Sequence, residues 1–300
     1  MGRNSIEELK VRRQAGGDIF KEILRAGEVV TKRAPNARKE YRILQVLNKE
    51  QPDLCVPKAI SYVDGVLTMS FLSGRHIDFE RDTQESIDAQ IAAMADCLVS
   101  FHNVAISPDL TSLLEKKYST IAENILGRFS EHLSLYGYDR DREKNEKKLR
   151  WLQRQCLDLS GTAPQHLVHG DYCHPQVLVN EGAAATYDLE TAYIGFVEDD
   201  LARFVSKVAL LGLLSVRSKI DIDRAEQVFL DRYEEKRAYD RKAFRLLTYV
   251  YLHRLRLREK DTANLLRTIC NRLIFLNQKK RLQDYRLRTA NKVKRCTRSS

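Results

Sequence analysis

Apolar and polar positions alternate along the first part of the chain, and the alternation predicts strands. Ile19 to Ala26 alternates, Gly27-Glu28 makes a tight turn, and Val29 to Ala34 continues as a second strand. A strand from Glu8 to Arg13, followed by a turn at Ala15-Gly16-Gly17-Asp18, would complete a three-stranded antiparallel sheet. The period then changes. From Lys39 to Leu47 the residues Ile43, Leu44 and Leu47 fall on one helical face. Val56 to Tyr62 and Val66 to Leu72 read as two more strands around Val63-Asp64-Gly65, and Ser73-Gly74 ends the second.

Past Gly74 the pattern is helical. Asp82-Thr83 can cap a helix from Gln84 to about Asn103, in which Ile87, Ile91, Met94, Leu98 and Phe101 form an apolar stripe. A second helix is expected from about Arg142 to Leu157. One short β segment interrupts this half. Gln176 to Val179 and Ala184 to Tyr187 are strand-like, and Asn180-Glu181-Gly182 supplies turn chemistry for a hairpin. Helices are expected again at 204–214, 225–233, 242–257 and 264–276. A strand-rich start followed by a helical remainder is an α+β arrangement.

The hairpin gathers chemistry. His169-Gly170-Asp171 ends one strand, Gln176 begins the hairpin, and Asp188-Leu189-Glu190 follows it. Folding the hairpin brings Asp188 back beside Gln176 and Asp171. Three oxygen-bearing side chains then converge, which suits a hard divalent cation. Phosphoryl transfer needs such parts: a carboxylate to orient a hydroxyl and accept its proton, and oxygen ligands that hold Mg²⁺ against phosphates.

The segment from Leu167 to Ala202, with His169-Gly170-Asp171, Asp188-Leu189-Glu190, Gly195 and Asp200-Leu201-Ala202, resembles the aminoglycoside phosphotransferase and choline kinase-like family. That resemblance implies a bilobal protein-kinase-like fold. Residues 1–73 would be an ATP-binding lobe built on a small antiparallel sheet, and residues 74–278 a mostly helical catalytic and substrate lobe. It implies Asp171 as catalytic base, Asp188 as the main Mg²⁺ ligand, and structural roles for His169 and Asp200 in holding the catalytic loop. Gln176 stands where Asn is usual and is read as a variant ligand with the same carbonyl oxygen.

In the smaller lobe, Lys32 resembles the lysine that reaches the ATP phosphates and Glu40 the glutamate that ion-pairs with it. Arg33 is the neighbouring alternative, one register step away. Gly16 and Gly17 could cradle phosphate through free backbone N–H groups, or form a plain turn. Met69, Ser70, Phe71 and Leu72 would bed the adenine and supply backbone hydrogen bonds. Glu190, Glu198 and Asp199 could make an acidic floor for a cationic acceptor, or orient a sugar or amino alcohol.

The expected function is therefore an ATP- and Mg²⁺-dependent kinase acting on a hydroxyl of a small molecule. Alternatives are a domain that holds nucleotide without turnover, and a kinase acting on an envelope lipid or sugar. Composition narrows the setting. No apolar run approaches the ~20 residues of a membrane span, and the start lacks the apolar stretch of a signal peptide. The six cysteines form no Cys-x-x-Cys pair, which points to a reducing cytoplasmic compartment. Cys173 and His174 are read as loop residues, not as a nucleophile pair. From Lys279 to Ser300 nine Lys and Arg face one acid, Asp284, so the net +10 belongs mostly to this tail. Such a tail fits anionic lipid or nucleic acid, or simple solubilisation.

Overall fold

The computed structural model describes residues 7–8, 12–13, 20–136, 142–159, 164–214 and 221–260. Gly16 and Gly17, the helix expected at 264–276 and the basic tail 279–300 lie outside the described residues.

The first elements are β1 (Glu7–Glu8), β2 (Arg12–Arg13), β3 (Phe20–Ala26), β4 (Val29–Arg33), helix α1 (Ala37–Glu50), β5 (Ala59–Val63) and β6 (Val66–Ser70). They form one six-stranded antiparallel sheet in the order β1-β3-β4-β6-β5, with β2 also on β3. The expected strand from Glu8 to Arg13 is two short pieces, both paired to β3. The two hairpins merge into one sheet because β4 pairs with β6, with Lys32 opposite Leu67. Pleating puts Lys32 and Val30 on one face of β4. On that face lies α1, which buries Ile43, Leu44 and Leu47 and, with them, Glu40.

The helical half holds α2 (Gln84–His102), α3 (Pro108–Leu113), α4 (Ile121–Tyr136), α5 (Arg142–Cys156), α6 (Val197–Leu214), α7 (Ile222–Lys236) and α8 (Arg241–Lys260). Between α5 and α6 run β7 (His166–Val168), β8 (Val177–Asn180), β9 (Ala183–Thr186) and β10 (Tyr193–Gly195). Thr83 caps α2, its hydroxyl accepting the Ser86 N–H at 3.2 Å. The stripe from Ile87 to Phe101 is buried, and α2 packs on α7 and β9, while α8 packs on α4 and α6.

Helix α4 was not expected from the pattern. Its apolar residues Ile121, Ile125, Phe129 and Leu133 are buried, but so are Asn124, Arg128 and His132. A helix that buries polar groups beside apolar ones loses the amphipathic signature that marks helices in sequence.

Two apolar clusters hold the molecule. One lies within the helical half, centred on α2, α6, α7 and α8. The other joins Leu44, Leu47, Leu67 and Met69 to Leu110, Leu167, Leu189 and Ile194, so it crosses from the sheet lobe to the helical lobe. The link between the lobes is clasped as well. Arg75 and Val179 exchange backbone hydrogen bonds of 3.1 and 2.9 Å. Gly74 there has φ +127°, and a Cβ would come within 2.8 Å of the Val179 carbonyl oxygen. Among the described residues no helix is long and apolar enough to cross a membrane.

Candidate active site

Lys32 lies at the meeting point of the lobes. Its ammonium pairs with Glu40, reaches Asp188 Oδ1 at 2.6 Å and approaches Glu190 Oε2 at 3.2 Å. It is 2% exposed. Burial alone would lower its pKa, but Glu40, Asp188 and Glu190 outweigh burial and raise it well above the ordinary lysine value. Glu40 is driven upward by burial, against the pull of Lys32. The second oxygen of Glu40 accepts the Leu189 N–H at 3.0 Å. One glutamate from α1 therefore holds both the lysine and the backbone after Asp188.

Asp188 is placed by unusual backbone. It has φ +70° and ψ +54°, the left-handed region that Asp tolerates better than most residues. Gln176 points at it, with the side-chain nitrogen 3.2 Å from Asp188 Oδ2. The hairpin sets this meeting: β8 pairs with β9, and the Gln176 carbonyl accepts both the Tyr187 N–H and the Thr186 hydroxyl.

Asp171 stands in a loop that is held from below. Asp200 accepts the N–H of His169 at 2.7 Å and of Gly170 at 2.9 Å. His102 approaches the same carboxylate at 3.1 Å and is itself backed by the Tyr233 hydroxyl at 2.7 Å. His169 contacts the Tyr187 carbonyl through Nε2 at 3.0 Å, tying the loop to the hairpin. Gly170 has φ +78°, and a Cβ there would sit 2.3 Å from the Thr191 carbonyl oxygen, so the turn demands glycine.

One partner of Asp171 escaped the sequence reading. Arg203 Nη1 donates to Asp171 Oδ1 at 2.7 Å, and its guanidinium lies 4.9 Å from the Tyr251 ring centroid. The only sequence signal is position: Arg203 is one turn after Asp200 on α6, on the face that meets the loop.

Other expectations are revised. Glu198 and Asp199 form no acidic floor. Asp199 is 1% exposed and takes Arg128 Nε at 2.9 Å together with the hydroxyls of Tyr193 and Tyr251. Burial would raise its pKa, but Arg128 and Arg203 and those hydroxyls hold it below the usual carboxylate range. Glu198 is buried and accepts the Asp240 N–H at 2.7 Å. Glu190 faces Lys32, Glu40 and Asp188, not a separate floor.

The strand-end expectation also changes in detail. Met69 and Ser70 belong to a strand paired on both sides, and Met69 is buried in the core. The Ser70 N–H donates to the Lys58 carbonyl at 2.9 Å and the Phe71 N–H to the Glu28 carbonyl at 2.8 Å. Leu72 is the first residue beyond these bonds. Cys173 is buried, and burial pushes its thiol up to about 12, which removes it as a nucleophile.

A cation fits this donor set. Carboxylate oxygens of Glu40, Asp188 and Glu190 lie within 4.8 Å of one another. All are hard oxygen donors, with the Gln176 amide alongside. Lys32 neutralises only part of their formal negative charge.

Comparison with known proteins agrees with this architecture. The sequence profile of the phosphotransferase enzyme family matches residues 9–245. Among curated protein sequences there is no significant match. Among solved structures, the choline kinase of Cryptosporidium parvum Iowa II is similar with a TM-score of 0.61 at 13% identity, over 94% of this chain and 90% of that one. The macrolide 2′-phosphotransferase MphH of Brachybacterium faecium gives 0.55 at 18% identity, over 90% and 91%. The streptomycin–ATP ternary complex of APH(2″)-IIa gives 0.56 at 14% identity, over 85% and 87%.

Proposed function

Because the chain belongs to the phosphotransferase enzyme family, we propose that it is a kinase that moves the γ-phosphoryl group of ATP to a hydroxyl of a small molecule. The observation that carries this reading is the four-way contact of Lys32 with Glu40, Asp188 and Glu190 at the junction of the lobes.

Each residue then has a task. Lys32, directed by Glu40, holds phosphate oxygens of the nucleotide. Asp188, with Gln176 and Glu190, would hold Mg²⁺, which when bound neutralises charge on the phosphates. Asp171 orients the acceptor hydroxyl and takes its proton late in transfer. Arg203 holds Oδ1 of Asp171 and so leaves Oδ2 for that hydroxyl. Asp200 keeps the loop rigid through its two amide contacts. Catalysis is then mainly positioning and charge stabilisation.

The free cysteines Cys55, Cys97, Cys156 and Cys173 among the described residues suit a reducing cytoplasmic setting. The tail from Lys279 onward is offered to an anionic lipid or nucleic acid on its charge alone.

The test is a phosphorylation screen. The full chain, Mg²⁺ and ATP are incubated with a pool of hydroxylated metabolites, and mass spectrometry reads a phosphate added to one of them. Asp171→Ala should bind nucleotide and lose transfer. Full turnover by that variant removes Asp171 from the mechanism. Nucleotide binding by the wild-type chain without transfer to any acceptor would make it a nucleotide-holding module instead.

A further inference from the structure

We propose that the acceptor carries an anionic group, a carboxylate or a phosphate, which pairs with Arg203 and Lys207 beside the Asp171 carboxylate. This deepens the kinase reading above and rests on it.

The acceptor hydroxyl must approach Asp171 from the side not taken by the nucleotide cluster. The cation in contact with Asp171 is Arg203. Lys207 follows four residues later on α6, on the same helical face. Helix α6 packs against the turn His174–Gln176, so this face runs along the catalytic loop.

The carboxylates nearby are already engaged. Asp199 is enclosed by Arg128, Tyr193 and Tyr251, Glu198 by the Asp240 amide, and Asp200 by the loop amides. Glu190 belongs to the Lys32 cluster. Of these acids and Asp171, only Asp171 keeps an oxygen free, and that oxygen is the one the acceptor hydroxyl takes.

Arg203 itself has capacity to spare. It donates to Asp171 and, at 3.3 Å, to the Tyr251 hydroxyl. Its Nε is buried without a hydrogen-bond partner. A buried donor left unpaired is unfavourable, and a planar guanidinium pairs well with two oxygens of a carboxylate or phosphate. An anion on the acceptor would meet the exposed edge of this guanidinium while its hydroxyl met Asp171.

Calorimetric titration tests this with the full chain saturated by Mg²⁺ and a non-hydrolysable ATP analogue. The probes are D-glucuronate, glucose 6-phosphate, glucose, glucosamine and choline. At least one anionic probe should bind tenfold or more tightly than glucose, glucosamine and choline. Glucuronate alone would assign a carboxylate, glucose 6-phosphate alone a phosphate. Arg203→Met should abolish the preference and Lys207→Gln should reduce it at least threefold, with affinity for the ATP analogue unchanged. Lys207→Gln carries the comparison if Arg203→Met does not fold. Binding of glucosamine or choline as tight as that of the anions overturns the proposal. So does failure of both anions to bind, or a preference that survives the substitutions. Failure to bind the ATP analogue would instead overturn the kinase reading beneath it.

Discussion

Lys32 and Asp188, 156 residues apart in the chain, meet at 2.6 Å in the seam between the sheet lobe and the helical lobe. A lysine buried to this degree is stable as a cation only because carboxylates surround it. The contact therefore joins the two lobes electrostatically at the point where a nucleotide would be held.

Replacing that lysine leaves Glu40, Asp188 and Glu190 crowded without a cation. Lys32→Met is expected to lower kcat by ~10²–10³-fold, the size of losing one preorganised donor to a transition state. Its melting temperature should also rise more on adding Mg²⁺ than that of the wild-type chain. Differential scanning calorimetry with and without Mg²⁺ reads this directly, and equal shifts would contradict it.

Asp188→Asn tests the cation site with the backbone preserved, since Asn also tolerates the left-handed conformation found there. The variant should fold normally. Mg²⁺ should no longer improve its affinity for an ATP analogue, whereas the wild-type affinity should improve at least tenfold. Calorimetric titrations with and without Mg²⁺ give the comparison.

Asp200→Asn addresses the loop. One acceptor oxygen becomes a donor facing the amides of His169 and Gly170 and the ring of His102. Orphaning buried donors is expected to cost about 3 kcal/mol of stability. Urea unfolding should show it as a lower midpoint, accompanied by loss of transfer, and an unchanged midpoint would remove the bracing role.

Stability should fall as pH drops below the ordinary histidine range. Burial, then nearby positive charges, lower His132 to about 3, His166 to about 4 and His174 to about 3, and burial also lowers His102. The folded chain keeps these rings neutral, while the unfolded chain protonates them near 6.5. Their contribution is thus complete above about pH 6.5 and is lost as pH falls towards 3. Urea midpoints between pH 7.5 and 4.5 should decline in step, and a flat profile would contradict this.

Much of the site was legible in the chain because it is local. Asp171, Gln176 and Asp188 sit in one short run with a turn between, so hairpin pairing alone brings two of them into contact. The same holds for α1, whose spacing of Ile43, Leu44 and Leu47 fixes which side faces the core and so where Glu40 points. Lys32 was legible only by order, since strand pleating selects its face but not its partners.

What the tertiary structure alone decided is the fate of charges that pair over distance. Asp199 and Glu190 look alike in sequence, as exposed-seeming acids near a catalytic motif. Packing of α8 on both α4 and α6 seals Asp199 against Arg128 and Tyr251, while the turn after Asp188 sends Glu190 to Lys32. Arg203 reads as one more surface-helix cation until that same packing seats it on Tyr251 and aims it at Asp171. Periodicity reports which face of an element is buried. Which opposite charge waits there depends on how helices distant in sequence dock, and no local pattern encodes that.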